Sequence, residues 1–379
     1  MRTRLSEQLG LEVPIFAFSY QPDVVIEVSR HGGMGVLGAV RFSRDELADA
    51  LDHIDRGVGG RPYGVDIVMP ASSEVVDANE ADELLASLDA LIPQEHRAFV
   101  ERVLDEHGVP PLPDDADVPR GLLGWTDATA RPQVEVALSH PIALLANALG
   151  PPPRDIVDEA HSHGVPVAAL VGRADQAIAQ RERGVDIIVA QGTEAGGHTG
   201  EIATMVLVPE VVDAVAPTPV LAAGGIGRGR QVAAALALGA QGVWTGSIWL
   251  TTAEHEIQAE LQEKLLAATS RDTVRSRALT GKPARQLRTA WTDAWADPTN
   301  PDPLKMPLQY LLTAEAQERI RVSGREELLG IPVGQIVGSM THVRPVREVL
   351  HELVSEARAA ASRVADAAAA GAPAQEGTR

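Results

Sequence analysis

The sequence predicts an α/β protein folded as a (β/α)8 barrel, the TIM-barrel architecture, with a helical insertion after strand 3 and a C-terminal helical elaboration. Short apolar, β-branched runs alternate with helical segments, which is typical of parallel sheets. Eight such runs occur, and most are continuously apolar, as expected for strands covered on both faces. The 379 residues suffice for one large barrel. A doubly wound open sheet is the alternative, because counting strands does not establish closure.

The predicted elements follow one another in chain order. The strands are 13–18, 34–40, 63–69, 142–149, 165–171, 186–190, 219–223 and 242–246. Helical patterns lie between them at 43–56, 154–163, 174–183 and 229–238. Ser43 is a candidate N-cap, and Glu46 completes a capping box three residues later.

Five segments organise the chain. The barrel occupies 1–71 and 141–270, the insertion 72–140, the mostly helical elaboration 271–356, and an Ala-rich helix with a flexible tail 357–379. Because the insertion follows the carboxyl end of a strand, it emerges on the face where barrels carry their active sites. We therefore predict that it forms a cap over the barrel mouth.

Composition excludes several classes of function. A net charge of −19 and a pI near 5.0 disfavour binding to nucleic acid or to an anionic membrane. The chain has no cysteine, so disulfides and thiolate metal sites are excluded. His161 and His163 diverge on a helix, so no metal site is expected. Without a signal peptide or a long apolar run, the protein is expected to be cytoplasmic, with a small-molecule substrate as partner. A homodimer stays open.

Two glycine-containing loops indicate a phosphate site. Gly224 and Gly225 end the seventh predicted strand, and Gly246-Ser247 ends the eighth. Glycine exposes its backbone N–H groups to an approaching anion, and the helix after Gly224-Gly225 is expected to add its positive N-terminal end. Barrels bind phosphate at these two strand ends. The alternative is that the glycines only form tight turns.

A third loop, 190–200, holds one imidazole among four glycines. Its histidine, His198, follows the sixth strand and is a candidate catalytic residue, because imidazole titrates near neutral pH. A structural histidine is the alternative.

Together these motifs resemble the nitronate monooxygenase family, formerly called 2-nitropropane dioxygenases, over about residues 10–350. The resemblance implies FMN without a required nicotinamide cofactor, and oxidation of alkyl nitronates by O2 to carbonyl compounds and nitrite. It implies a catalytic role for His198. The implied cofactor-binding residues are Phe18, Asp66, Gln191, Gly196, Gly224, Gly225, Trp244, Thr245, Gly246 and Ser247.

The sequence departs from the family pattern at two places. Asp66 stands where the family carries asparagine, and Phe18-Ser19-Tyr20 replaces an Ala-Pro-Met ending. An NAD(P)H-dependent flavin reductase acting on an enoyl thioester, a quinone or a related compound is therefore the alternative enzyme. A flavin- or phosphosugar-binding barrel without turnover is the non-enzymatic alternative.

A basic cluster between 271 and 288 admits two interpretations. It either binds a phosphate-bearing substrate such as an acyl-CoA or pairs with local carboxylates, and local pairing is favoured. Its members are Arg271, Arg275, Arg277, Lys282, Arg285 and Arg288.

Overall fold

A computed structural model describes residues 1–69, 78–113, 127–148 and 150–370. Within them the strands are β1 (Ile15–Ser19), β2 (Met34–Gly38), β3 (Tyr63–Asp66), β4 (Leu144–Asn147), β5 (Val167–Val171), β6 (Ile187–Gln191), β7 (Gly197–His198), β8 (Val220–Ala223), β9 (Gly242–Thr245), β10 (Thr273–Ser276) and β11 (Ala284–Leu287). Eight parallel strands form a closed barrel in the order β1-β2-β3-β4-β5-β6-β8-β9. β1 pairs with both β2 and β9, which confirms the barrel over the open sheet.

Helices surround the barrel and continue beyond it. They are α1 (Arg4–Gln8), α2 (Pro22–Arg30), α3 (Arg44–Gly57), α4 (Ala78–Ala90), α5 (Gln94–Glu106), α6 (Asp127–Ser139), α7 (Arg154–Ser162), α8 (Ala174–Glu182), α9 (Thr204–Val215), α10 (Gly229–Ala237), α11 (Ala259–Ala267), α12 (Ala290–Ala296), α13 (Leu308–Ser323) and α14 (Val346–Ala370). Ser43 caps α3 and forms the predicted capping box with Glu46. None of the described helices is both long and apolar enough to cross a bilayer.

The barrel interior is filled by every second residue of each strand. This core includes Phe16 from β1, Leu144 from β4, Val189 from β6 and Leu221 from β8, all of them almost fully buried. Alternate strand residues face outward and pack against the helices, as in other parallel barrels. The same alternation decides which residues at the carboxyl ends of the strands point into the barrel mouth.

Part of the predicted insertion packs on the C-terminal elaboration. α5 packs against α13 in a second apolar core, in which the rings of Phe99 and Trp295 meet edge to face at 4.6 Å. α6 packs against α3 beside the barrel. Positions 70–77, 114–126, 149 and 371–379 lie outside the described residues, including part of the insertion, the end of strand 142–149 and the terminal tail. The cap over the mouth stays a prediction.

The C-terminal elaboration also contains strands, which the sequence analysis did not predict. β10 and β11 form an antiparallel pair, and β11 also pairs with β7, which gives a three-stranded sheet beside the barrel. The pattern was missed because these strands are four residues long and each carries an arginine. Two strands also end earlier than predicted, at Gly38 and at Asp66.

Candidate active site

Side chains from four strands converge inside the carboxyl end of the barrel. Asp66 is the last residue of β3, and Gln191 is the last residue of β6. Phe18 on β1 and Trp244 on β9 lie in the same interior set, with ring centroids 6.5 Å apart. Strand alternation thus brings four of the predicted site residues together. Gly38 makes room for the aromatic rings because it has no side chain. A Cβ at this position would lie only 2.7 Å from the Phe18 ring.

Unpaired backbone amides line the ends of the neighbouring strands β8 and β9. Gly224 and Gly225 adopt left-handed backbone angles, with φ of 102° and 67°. In the described part of the chain, the N–H groups of Gly225, Gly246 and Ser247 donate to no protein acceptor. Convergent backbone donors without side chains in front of them suit an anionic oxygen.

The helix that follows Gly225 does not add free amides, contrary to the prediction from the sequence. The side chain of Gln231 accepts hydrogen bonds from the backbone N–H groups of Gly227 and Arg228. The carboxylate of Glu356 on α14 accepts from the backbone N–H of Gly229 at 2.7 Å. The first turn of α10 is therefore already capped by protein groups, and the two glycine loops supply the available donors.

A C-terminal segment that the sequence did not indicate completes this region. The backbone N–H of Gly334 donates to Ser247 Oγ at 2.8 Å, and that of Gln335 donates to the carbonyl of Glu194 at 2.9 Å. A Cβ on Gly196 would lie 2.8 Å from the backbone nitrogen of Gly334, so these two segments of the chain are in backbone contact. Close approach explains the glycine at both positions, and the single glycine was the only sign of this contact that the sequence offered at position 334.

The side chain of Thr245 faces away from the barrel mouth, unlike those of the other predicted cofactor-binding residues on β1, β3, β6 and β9. Its hydroxyl donates to the carbonyl of Phe16 at 3.0 Å and accepts a hydrogen bond from the indole N–H of Trp249. The side chain is almost fully buried and ties β9 to β1. It stabilises the strand end, and only its neighbours Trp244 and Gly246 face the mouth.

His198 lies on β7, held by the sheet of the C-terminal elaboration. Ala284 of β11 pairs with His198, and the ring Nε2 lies 2.8 Å from Thr280 Oγ1. The residue as a whole is exposed, but neighbouring protein atoms desolvate its ring. This desolvation, together with the positive charge of Lys282, lowers the pKa of His198 to about 4. The imidazole is therefore neutral at physiological pH.

Arginines of the basic cluster hold the loop that carries His198. Arg285 Nε donates to the carbonyl of Thr193 at 2.8 Å, and Arg275 donates to the carbonyl of Thr199 and pairs with Glu201. Arg288 pairs with Asp293, and Arg277 donates to the carbonyls of Gly281 and Pro303. Arg275 and Arg288 thus form the carboxylate pairs that the sequence analysis favoured, whereas Arg277 and Arg285 bind backbone carbonyls.

Asp66 combines burial with an unsatisfied acceptor. Its side chain is 5% exposed, and Oδ1 receives no hydrogen bond from any described residue. Burial raises the pKa of Asp66 to about 7, because a low-dielectric environment disfavours the charged form. The negative charge of Asp66 in turn raises the pKa of Tyr20, whose largest shift comes from its own burial. A buried acceptor of this kind fits a ligand that donates an N–H.

The candidate metal pair has ordinary local partners. His161 Nε2 lies 2.8 Å from the carboxylate of Asp186, and His163 Nδ1 lies 3.0 Å from the carbonyl of Glu159. Both contacts lie at the protein surface. The two imidazole rings therefore bind different partners and do not share one.

The family model for nitronate monooxygenases matches residues 4–356, which include the whole barrel and the C-terminal sheet. The chain belongs to the nitronate monooxygenase family. Membership makes it an oxidoreductase enzyme that uses a flavin. The residues reported for the strand ends, unpaired backbone amides beside aromatic and polar side chains, are the ones available to such a cofactor.

Two curated relatives support the family and leave the substrate open. The chain is 54% identical over 368 residues to a protein of Mycobacterium tuberculosis named as a monooxygenase, covering 94% of this chain and 96% of that one. It is 27% identical to a protein of Staphylococcus aureus named as a nitronate monooxygenase, covering 94% and 97%.

Solved structures show the same fold. The nitroalkane oxidase of Streptomyces ansochromogenes superposes with a TM-score of 0.78 at 24% identity, covering 95% of this chain and 99% of that one. FabK of Thermotoga maritima superposes with a TM-score of 0.72 at 26% identity, covering 97% and 99%. Within this fold, the chemistry has to be argued from the residues at the strand ends.

Proposed function

We propose that this enzyme is an FMN-dependent nitronate monooxygenase that oxidises alkyl nitronates with O2 to carbonyl compounds and nitrite. The observation that carries the proposal is the convergence of unpaired amides with an unsatisfied buried carboxyl group at one end of the barrel. The amides suit one phosphate, and Asp66 Oδ1 suits an N–H of a flavin ring. These two requirements belong to one ligand, and FMN has both groups.

The residues fit FMN better than a dinucleotide. Gly225, Gly246 and Ser247 would hold the phosphate, while Phe18 and Trp244 would offer apolar surface and Gln191 a polar contact to the ring. The segment Gly224-Gly-Ile-Gly-Arg228 lacks the Gly-x-Gly-x-x-Gly spacing of dinucleotide-binding loops. When bound, FMN supplies the oxidation–reduction chemistry that no side chain of this site has.

His198 suits an anionic substrate. A neutral imidazole offers one donor, so it can orient a nitronate oxygen without removing a proton. Since the pKa of His198 is lowered to about 4, the ring is a weak base for a neutral nitroalkane. We therefore propose that the site accepts a nitronate better than the corresponding neutral nitroalkane.

Oxygen uptake tests this function. The holoenzyme is mixed with a preformed alkyl nitronate, with the corresponding nitroalkane, or with NADH or NADPH, and O2 consumption and nitrite are measured. We expect uptake and nitrite with the nitronate alone, and slower turnover with the nitroalkane. Uptake that depends on NAD(P)H and yields no nitrite would reject the proposal.

The alternative function is an NAD(P)H-dependent reductase on the same barrel. The 26% sequence identity to FabK across almost the whole chain is the observation that supports this alternative. It predicts that NAD(P)H, rather than a nitronate, reduces the flavin, so the same experiment separates the two.

We expect the purified protein to be yellow and to release one equivalent of FMN on denaturation. The reason is that the described residues offer one candidate phosphate-binding region and no second one for an adenosine diphosphate group. Heat or acid releases the cofactor, and chromatography with mass measurement identifies it. Release of FAD, or of no flavin, would contradict this prediction.

Replacing Gly225 with alanine should weaken FMN binding about tenfold, which corresponds to ~1.4 kcal/mol. An alanine would be strained at a φ of 67°, and its Cβ would lie 3.1 Å from Glu194 Cβ at the anion-binding loop. Fluorescence titration of the apoprotein with FMN measures the affinity.

Gly59→Ala is the matched control for Gly225→Ala. Gly59 has a φ of 63°, with no other atom within 4 Å of the added Cβ, and it lies in the turn after α3. The Gly59→Ala variant therefore has the same backbone strain as Gly225→Ala, but at a position outside the candidate site. Equal FMN affinities for the two variants would show that the loop after β8 does not bind the phosphate.

A further inference from the structure

A cleft with many hydrogen-bond donors lies at the N-terminal end of α10. It opens where this helix end meets the short 3-10 helix after β9, Ser247–Trp249, and the segment that leads into α14. Arg228 lines one side, Thr251 and Thr252 line another, and residues between 339 and 344 line the third. The proposed nitronate oxidation assigns no role to these side chains.

This cleft is distinct from the region proposed for the flavin phosphate. Its lining includes Gly227 and Ile248, but not Gly225 or Ser247, whose amides are assigned to the phosphate. Gly227 packs against two isoleucines, because a Cβ at this position would clash with the side chains of Ile336 and Ile248. A ligand in the cleft would therefore meet a different set of donors from the set proposed for FMN.

Thr251 is a buried polar residue of the cleft whose hydroxyl group has no protein partner. The residue is 4% exposed, and its hydroxyl forms no hydrogen bond with any residue of the described chain. The neighbouring Thr252 is also buried, but its hydroxyl donates to the carbonyl of Trp249 at 2.8 Å. Buried polar groups nearly always have a hydrogen-bond partner, and an unpaired one costs stability. The hydroxyl of Thr251 is therefore available to a ligand.

Two arginines of the cleft share one carboxylate. Arg228 Nη1 lies 3.6 Å from Glu352 Oε1, and Arg344 Nη1 pairs with Glu352 Oε2. The backbone of Arg344 is held in place as well, because its carbonyl accepts a hydrogen bond from the N–H of Ala253 at 3.0 Å. Two positive charges and one negative charge leave the group with a net positive charge, in a protein whose net charge is −19.

Backbone amides add neutral donors on the third side of the cleft. The N–H groups of Thr341 and His342 donate to no acceptor in the described residues. Two further carboxylates of this region are already occupied by helix ends. Glu254 accepts from the backbone N–H of Val346 at the start of α14, and Glu356 caps the start of α10. The cleft therefore offers more donors than acceptors, and it suits an anion.

We propose that this cleft binds the phosphate group of a small molecule, with Arg228 and Arg344 as charged donors and Thr251 as a neutral one. The inference goes beyond the proposed function and does not rest on it. A tetrahedral phosphate has oxygens for donors that approach from several sides, whereas one guanidinium already satisfies the two oxygens of a carboxylate. Glu352 competes for the same guanidinium groups, so its charge opposes binding.

The experiment titrates the flavin-loaded enzyme with three anions at constant ionic strength. Inorganic phosphate and methyl phosphate distinguish a free ion from a phosphate ester, and acetate reports binding of a carboxylate. Calorimetry gives the affinity, and the flavin absorbance shows that the cofactor stays bound. The variants are Arg344→Gln, Thr251→Val and Glu352→Gln. Arg30→Gln is the matched control, because Arg30 also pairs with a glutamate, Glu27, but lies on α2.

We expect Arg344→Gln to weaken phosphate binding about 10- to 100-fold, as for loss of a charge-assisted hydrogen bond. Thr251→Val should weaken it about two- to tenfold, and Glu352→Gln should strengthen it. Arg30→Gln should leave it within about twofold. Thr251→Val should not lower the melting temperature, because the hydroxyl that it removes has no partner in the protein.

Several results would overturn the phosphate site. They are a wild type that does not bind phosphate, acetate that binds as tightly as phosphate, and a phosphate affinity that is the same in Thr251→Val as in the wild type. Release of the flavin by phosphate would place the anion at the glycine loops instead, and would overturn it too. If Arg344→Gln does not fold, Thr251→Val and Glu352→Gln decide, since their expected effects have opposite signs.

Discussion

Replacement of His198 with asparagine is expected to lower kcat by on the order of 10²–10⁴ while the protein keeps its flavin. Asparagine retains a donor but cannot reproduce the position of the imidazole ring, which is set by Thr280 and by pairing with Ala284. The amides of Gly225 and Ser247 belong to other loops, so cofactor binding should not change. Steady-state kinetics and flavin content, measured on the same preparation, test this expectation.

His161→Asn is the matched control. His161 is an exposed histidine paired with Asp186, and its loss should leave kcat within about twofold. If His198→Asn with full flavin content is as active as this control, His198 has a structural role. Because the pKa of His198 is lowered to about 4, we also expect no loss of wild-type activity from its titration between pH 6 and 8.

Replacement of Asp66 with asparagine is expected to raise the flavin reduction potential and to improve nitronate oxidation above pH 7. An ionised Asp66 opposes any further negative charge in the same pocket, whether it enters with a nitronate or is gained on reduction. At an effective dielectric constant of roughly 20 and a separation of about 4 Å, this repulsion is ~4 kcal/mol. For a two-electron couple that corresponds to at most about 90 mV.

The pH dependence follows from the raised pKa of Asp66. Since burial moves this pKa to about 7, the carboxyl group is neutral below that pH and charged above it. For the wild type, kcat/KM with a preformed nitronate should therefore fall as the pH rises through about 7, and Asp66→Asn should abolish this fall. Asp175→Asn, at an exposed carboxylate paired with Arg173, is the control. A potential at pH 8 that is unchanged in Asp66→Asn would contradict the account.

Local patterns in the sequence were sufficient to predict the barrel and to predict which strand residues lie at its interior end. Period-two alternation places Phe18, Asp66 and Gln191 inside the barrel, because each lies near the carboxyl end of an apolar strand. Glycine pairs indicate where backbone donors are exposed, and the structure shows unpaired amides at Gly225 and Gly246. These features depend on neighbours in the chain, so a single sequence can reveal them.

Contacts between distant parts of the chain could not be predicted in this way. Glu356 caps α10 from 127 residues beyond Gly229, and that contact occupies a backbone amide at the N-terminus of the helix. Gly334 reaches Ser247 across 87 residues, and β11 reaches β7 across a similar distance. The tertiary fold brings such pairs together, and no pattern among neighbours in the chain indicates them.

Anaerobic mixing of the holoenzyme with a preformed alkyl nitronate tests the central claim most directly. The oxidised flavin absorbs in the visible region, and its bleaching without O2 reports electron transfer from the substrate itself. We predict rapid bleaching by the nitronate, and little bleaching by NADH or NADPH at the same concentration. A flavin that NADH or NADPH bleaches and the nitronate leaves oxidised would contradict the assignment as a nitronate monooxygenase.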